Sequence, residues 1–396
     1  MIDHVWLGSC SFGIDPTVRR LPHRVVVGGT PTRVLRLTAA GARLMSTLLV
    51  TGRAPADLSA AGGALIDRMV RAGMLHPQPP AAASPREVAV VIPGHDHSAH
   101  VAGAIAAGLE VGPVTVVDDG STDGTGDQAR RAGATVVRLH ANVGPAAARN
   151  RGVAATGGEF IVFVDADCVP QPGTLARLLG HLVDPAVGAV APRVVGAAAP
   201  GRQILRRYEQ TRSPIDMGPL SGPVRPDARV SFVPTATIAV RRSAFDEVGG
   251  FDEGLRFGED VDFVWRLHQA GWEVRYDSRV LAGHHHRRRP AAIARRRWLY
   301  GTSAGPLAER HPAALAAVRA SPWTLASWLA LLLGRWWLAA GLAGWSWLGL
   351  HRALRHLPGG GGLSGRLVAT GLLGAARPLA AALTRTWAPL PLAVAA

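Results

Sequence analysis

At 396 residues the chain is long enough for two or three domains with a full-sized core. All 43 of its Lys+Arg residues are Arg, and the formal net charge of +15 favours nucleic acid, an anionic membrane face or phosphorylated substrates as partners. No zinc-finger spacing or basic recognition region accompanies that charge, which sets nucleic acid aside, and Cys10 and Cys168 are too few for a disulfide framework.

Residues 1–80 stand apart as a small module. The N-terminus lacks the basic-then-apolar form of a secretory signal, so the catalytic part is expected to face a reducing cytoplasm. Arg24 to Leu37 reads as a hairpin, two β-rich runs around a Gly-Gly-Thr-Pro turn. Thr38 is placed to cap a helix through Leu48, and Leu58 to Leu75 carries a second apolar helical pattern. A hairpin with helices of this size resembles the winged-helix modules that bind leader peptides in peptide-derived natural-product pathways. A purely structural cap is the alternative. The Pro- and Ala-rich run from Pro79 to Pro85 marks a boundary, with the linker at 81–86.

Residues 87–312 alternate strand-like and helix-like segments, the pattern of an α/β domain. Val114-Thr-Val-Val-Asp-Asp-Gly-Ser-Thr122 and Phe160-Ile-Val-Phe-Val-Asp-Ala-Asp167 each read as a strand buried on both faces that ends abruptly in carboxylates. Open α/β sheets place their ligand crevice at that edge. Two carboxylates one residue apart repel each other and are costly to bury unless they share a cation. Asp165 and Asp167 therefore read as a divalent-metal site, and oxygen ligands point to Mg²⁺ or Mn²⁺ held jointly with substrate phosphates. Cys168, directly after them, reads as a small apolar packing residue.

Beyond Pro322 the composition changes. Trp323 to Leu350 holds one charge, Arg335, and six of the eleven Trp. A helix there is long enough to cross a ~30 Å hydrocarbon core, yet a mid-bilayer charge costs at least ~2.5 kcal/mol, and clustered Trp equally suits a helix lying at the interface. A flexible break is expected at Gly359–Gly362, and a second Ala/Leu-rich stretch from Leu367 is broken by Arg377-Pro378 and Arg385. Residues 322–396 are thus expected to form an apolar helical tail on an anionic membrane surface. With Arg287–Arg289 and Arg295–Arg297 just ahead of it, the expected location is the cell membrane, catalytic domain toward the cytoplasm.

Five motifs in order carry a family resemblance from about Glu87 to Pro312. They are Val88-Ala-Val-Val-Ile-Pro93, Val117-Asp-Asp-Gly-Ser-Thr-Asp123, Asn142-Val-Gly-Pro-Ala-Ala-Ala-Arg-Asn-Arg-Gly152 with the Asp165-Ala-Asp167 after it, Val248-Gly-Gly-Phe-Asp-Glu253, and Gly258-Glu-Asp-Val-Asp-Phe-Val-Trp-Arg-Leu267. Together they resemble the family 2 glycosyltransferases with a GT-A fold, a Rossmann-like nucleotide-sugar transferase domain. The resemblance implies a donor site at Pro93, Asp119, Arg149 and Asp165, with Asp119 facing the uracil of a UDP-sugar. It implies metal ligation by Asp165 and Asp167, with His284 or another of His284–His286 as a further ligand.

On the acceptor side the resemblance implies Asp260 as the base in an inverting displacement, with Glu259 and Trp298 beside the acceptor. Asp262 is read as a helix N-terminal acid. Ala294-Arg-Arg-Arg-Trp298 is similar to the Gln-X-X-Arg-Trp element of processive members, but Ala294 stands in place of Gln. The small domain ahead and the apolar segments behind are similar to family members that glycosylate a peptide-derived redox cofactor precursor, which implies UDP-glucose as donor. Two other readings stay open: transfer to a polyprenyl phosphate or glycolipid, and a peptide-binding scaffold of a maturation complex.

Overall fold

Apolar runs at 88–92, 114–117 and 160–164 form the middle of one mixed sheet in the computed structural model, which describes residues 5–81, 87–197, 213–285, 298–314, 320–356 and 360–381. Four strands run parallel: Thr135–Leu139, Val114–Asp119, Val88–Gly94 and Phe160–Val164, in that spatial order. Thr237–Arg241 continues the sheet antiparallel to Phe160–Val164, followed by Val187–Gly196, Glu273–His284 and the short edge strand Cys168–Pro170. Val90, Val91, Ile92, Val116, Val117 and Ile161 to Val164 have no exposed surface. Burying each such side chain contributes about 1.5–3 kcal/mol, so the sheet centre is the most firmly held part of the chain. This is a GT-A-like mixed α/β sheet.

Strand order reverses between Val88–Gly94 and Phe160–Val164: from the first, the chain moves outward through two strands and then returns to the other side. A crevice opens at such a switch point beyond the carboxyl ends of the strands. The helix Pro145–Ala154 covers the sheet there. Gly152 lets it pack close, since a Cβ at that position would meet Val91 Cγ1 at 2.3 Å.

The chain divides into two units. One comprises residues 1–18, 28–33 and 38–310; the other comprises 19–27, 34–37 and 311–396. In the first, Thr38 caps the helix Ala39–Thr51 by accepting from the Gly41 amide at 3.1 Å, and Ser59 caps Ala60–Arg71 in the same way. Strands Ser11–Ile14 and Leu75–Gln78 pair antiparallel. Asp15 accepts from His76 at 3.0 Å and from Arg229, in the loop before the strand Thr237–Arg241, at 2.9 Å.

In the second unit, strands Arg19–Leu21, Val25–Gly28 and Arg33–Arg36 form a small sheet whose Val25 and Val27 pack on Leu354 and Leu363. The apolar tail forms helices Pro322–Leu332, Trp336–Leu354 and Gly360–Ala381. Among the described residues no helix is long and apolar enough to cross a membrane. The Trp-rich run is not one span, because Gly334 adopts a left-handed φ of 70° and divides it. The next helix begins at Gly360, so Gly360–Gly362 belong to it while Gly359 lies outside the described residues, and the expected break at Arg377-Pro378 gives way, because this helix runs on to Ala381. Packing against the neighbouring helix outweighs the weak local propensities. The expectations placed on 82–86, on His286 to Arg297 and on 382–396 lie outside the described residues.

Candidate active site

The carboxyl edge of the sheet gathers the acidic motifs. Arg149, on the helix Pro145–Ala154, is only 3% exposed. Its Nη2 donates to Asp165 Oδ1 at 2.8 Å and its Nη1 to Glu259 Oε1 at 3.2 Å. The guanidinium carbon lies 5.3 Å from the centre of the Phe251 ring. Burial by itself lowers the pKa of this guanidinium, but Asp165 and Glu259 outweigh it and hold the group charged, above its ordinary value. One cation thus joins the Asp-X-Asp end of the fourth parallel strand to the Glu-Asp segment.

That segment opens the helix Glu259–Gln269 directly after Gly258, whose φ of 84° suits glycine. Asp260 is half-buried, and one of its oxygens accepts from the Val261 amide at 2.8 Å. Burial and the neighbouring Glu259 raise its pKa to about 7, while the Val261 amide and Arg149 pull the other way. A carboxylate poised there can accept a proton near neutral pH.

Asp119 is buried and doubly held: its two oxygens accept from the backbone amides of Val143, at 2.8 Å, and Gly144, at 2.9 Å. Those amides belong to the loop that leads into the Arg149 helix, so the second-strand motif sets the position of the next. Each carboxylate oxygen retains a further lone pair. Asp118 faces the other way, accepting from the Ser121 amide at 3.0 Å. Pro93 is buried and in register with Val117 at the end of the first parallel strand.

The metal-type ligands cluster one step further along. Asp167, Cys168 and His284 place a carboxylate oxygen, a sulfur and an imidazole nitrogen within 4.8 Å of one another. His284 Nε2 lies 3.4 Å from Asp167 Oδ2, and Cys168 sits opposite His284 in the antiparallel pair. The carboxylate oxygen and the imidazole nitrogen suit a divalent ion such as Mn²⁺, whereas the buried Cys168 sulfur is a soft donor that does not suit a hard cation. Asp165 lies on Arg149 instead of in that triad. His285 stacks on His100, ring centres 4.5 Å apart.

Other candidates fall elsewhere. Trp298 is 70% exposed. Asp262 has a structural position, accepting from Arg266 at 2.7 Å, while Arg266 Nη2 donates to the Gly250 carbonyl at 2.8 Å. Sequence reasoning missed Asn150, which clamps the segment 250–253: its amide donates to the Phe251 carbonyl at 2.8 Å and its oxygen accepts from the Phe251 amide at 3.0 Å. The signal was present in the Arg149-Asn150 pair, but its partner lies a hundred residues away. Sequence reasoning also took Cys168 only for packing.

The profile of Glycosyl transferase family 2 matches residues 113–249. The pre-mycofactocin glycosyltransferase of Mycobacterium tuberculosis is 40% identical over 329 residues, spanning 81% of this chain and 68% of the relative. The chain belongs to glycosyltransferase family 2. This transferase is also 32% identical over 230 residues to the succinoglycan biosynthesis protein ExoU of Rhizobium meliloti, covering 52% of this chain and 66% of the relative. Among solved structures it is similar to a mannosyltransferase of Pyrobaculum calidifontis in complex with GDP-mannose and Mn²⁺, at TM-score 0.44 and 22% identity, covering 78% of this chain and 81% of that one.

Proposed function

We propose that this family 2 transferase moves glucose from UDP-glucose, with inversion, onto a hydroxyl of a peptide-derived cofactor precursor; a relative 40% identical to it is named a pre-mycofactocin glycosyltransferase. The observation that carries the reading is the bridge from Asp165 through Arg149 to Glu259. It holds the donor-side acid and the acceptor-side segment about one charge, so donor diphosphate and acceptor hydroxyl meet at the same crevice.

Asp119 accepts the imide N–H of the uracil on its remaining lone pairs, beside Pro93. Asp167 and His284, with Cys168 adjacent, would hold Mg²⁺ or Mn²⁺, and Asp165 would face the donor next to Arg149. When bound, the ion supplies Lewis-acid neutralisation of the departing diphosphate. Asp260 takes the proton of the acceptor hydroxyl as its oxygen attacks the anomeric carbon, and a single displacement of an α-linked donor leaves a β-linkage. Glu259 keeps Arg149 in place, and Trp298 offers its exposed ring to the acceptor. In the proposed division, residues 1–80 form a winged-helix-like module of the peptide-binding type ahead of the transferase domain at 87–312.

A lipid-linked acceptor is the second reading. It is favoured by the exposed apolar side chains on the tail helices, where Leu332, Leu333, Trp336 and Trp337 are 60–73% exposed around Arg335. Such a surface suits an anionic membrane face. Incubation with a panel of UDP-sugars and both acceptor classes, read by mass spectrometry, tests the assignment. Preferential transfer from another sugar nucleotide, or onto a polyprenyl phosphate alone, overturns it.

A further inference from the structure

The antiparallel pairing of Cys168–Pro170 with the end of Glu273–His284 sets Cys168 directly opposite His284. Residues paired in this way project from the same face of a sheet, with Cβ atoms about 4.5–5.5 Å apart. Backbone bonds pin the surroundings. The Cys168 amide donates to the Asp165 carbonyl, the His285 amide to the Asp167 carbonyl and the Ala197 amide to the His284 carbonyl, each at 2.9 Å. Asp167, Cys168 and His284 thus bring a carboxylate oxygen, a sulfur and an imidazole nitrogen within 4.8 Å of one another on a fixed frame.

Both the donor set and its spacing differ from what Mg²⁺ requires. Mg²⁺ takes oxygen ligands at about 2.0–2.1 Å in an octahedron, so neighbouring ligand atoms lie roughly 2.9 Å apart. Zn²⁺ takes thiolate, imidazole and carboxylate together in a tetrahedron. Its bonds to nitrogen and oxygen, about 2.0–2.2 Å long, set those two atoms roughly 3.4 Å apart. His284 Nε2 and Asp167 Oδ2 are separated by 3.4 Å.

The side chains of Asp167 and His284 are 14% and 10% exposed, so an ion enters between them, and Cys168 closes the inner side. Burial does not bar the sulfur from the ion. A Zn–S bond of about 2.3 Å is shorter than any contact water makes with sulfur, so a thiol closed to water still reaches an ion held by the other two.

We propose that Asp167, Cys168 and His284 form a three-ligand Zn²⁺ site, and that Zn²⁺ bound there displaces the Mg²⁺ or Mn²⁺ of glycosyl transfer. This rests on the reading of Asp167 and His284 as metal ligands and adds Cys168 as the residue that sets which ion they hold. Cys168 binds as the thiolate, its S–H proton passing to solvent. Thiolate suits Zn²⁺ and serves Mn²⁺ poorly, so the site ranks Zn²⁺ above Mn²⁺ by more than oxygen and nitrogen ligands alone provide.

The full chain, freed of metal by chelator, is titrated with Co²⁺, whose thiolate complexes show a strong near-ultraviolet charge-transfer band, and then with Zn²⁺ as competitor. Cys10 and Cys168 are the chain's two cysteines, so the band has two possible sources. It is expected in wild type and in Cys10→Ser, is expected to be missing from Cys168→Ala, and should be erased by Zn²⁺. Zn²⁺ affinity should fall at least ~10-fold in Cys168→Ala and Cys168→Ser, since even the outer partners of a metal ligand are worth about 10- to 100-fold. Mn²⁺ affinity should fall much less. The serine variant keeps the size of the side chain, so the comparison stands if the alanine variant does not fold. In the transfer assay Zn²⁺ should inhibit, and excess Mn²⁺ should reverse the inhibition. A wild-type Co²⁺ complex without the band, Zn²⁺ affinity untouched by both Cys168 variants, or Mn²⁺-supported transfer indifferent to Zn²⁺ overturns the proposal. The expected band and affinities without transfer from any sugar nucleotide would support the site and count against the proposed function instead.

Discussion

Arg149 donates to Asp165 across 2.8 Å while remaining almost wholly buried. The ion pair links the helix that follows the strand Thr135–Leu139 to the acidic end of Phe160–Val164, and through Glu259 to the segment that carries the proposed base. Removing one member of a buried network is costlier than the net worth of the pair, because the other members keep their charge without compensation.

Arg149→Met should therefore lower turnover by at least ~10²-fold and destabilise the protein by about 3 kcal/mol. With the cation gone, Asp165, Glu259 and Asp260 face one another, and the apparent pKa of the base should rise further. A pH–rate profile and a denaturant titration of the same variant check this. A wild-type acidic limb in Arg149→Met would show that the guanidinium does not govern Asp260.

For Asp260 the pH dependence runs in a definite direction. Burial and Glu259 place its pKa at about 7, above the ordinary 3.8. A base must be unprotonated, so the rate should rise with pH through about 7 and level off above it. Asp260→Asn should reduce transfer by roughly 10²–10⁴ and leave UDP affinity nearly unchanged. Near-normal turnover would move the base to Glu259 or beyond.

The same shift has a sign for stability. A carboxyl whose folded pKa is raised binds its proton more tightly in the folded state, so stability from this group falls as pH rises from about 4 to about 7. Asp260→Asn escapes that penalty. Thermal unfolding should show the variant more stable than wild type at pH 8, by on the order of 1–3 kcal/mol, and no different near pH 3.5. Equal differences at both values would trace the effect to packing.

Metal dependence should follow the triad more than the first acid of the motif. Asp167→Ala and His284→Ala are each expected to weaken Mn²⁺ binding about 10- to 100-fold by calorimetry with UDP present. Asp165→Asn should keep most of the metal affinity and lose activity through its contact with Arg149. Full transfer in excess chelator would remove the ion from the reaction.

The tail makes a separate prediction. Trp336→Ser with Trp337→Ser removes two rings that are 73% and 60% exposed. If this surface meets a membrane, co-sedimentation with vesicles containing anionic lipid should drop several-fold while donor hydrolysis persists. Equal sedimentation of wild type and variant would assign the surface to another partner.

Local rules made part of this protein legible from the residues alone. Apolar runs that end in carboxylates specify strands and the edge at which ligands bind, because burial on both faces and charge repulsion act over a few neighbouring residues. Thr38 before an apolar helical pattern specifies a cap for the same reason. Tertiary structure decided what those residues do to one another. Only the folded sheet shows that Arg149 unites Asp165 with Glu259, that Cys168 stands opposite His284, and that Asn150 clamps Phe251. It also shows Asp119 held by the loop before the Arg149 helix, and the Trp-rich run divided at Gly334. Periodicity and spacing describe a residue's own element, whereas burial, ion pairing and a raised pKa depend on charges and surfaces brought in from more than a hundred positions away.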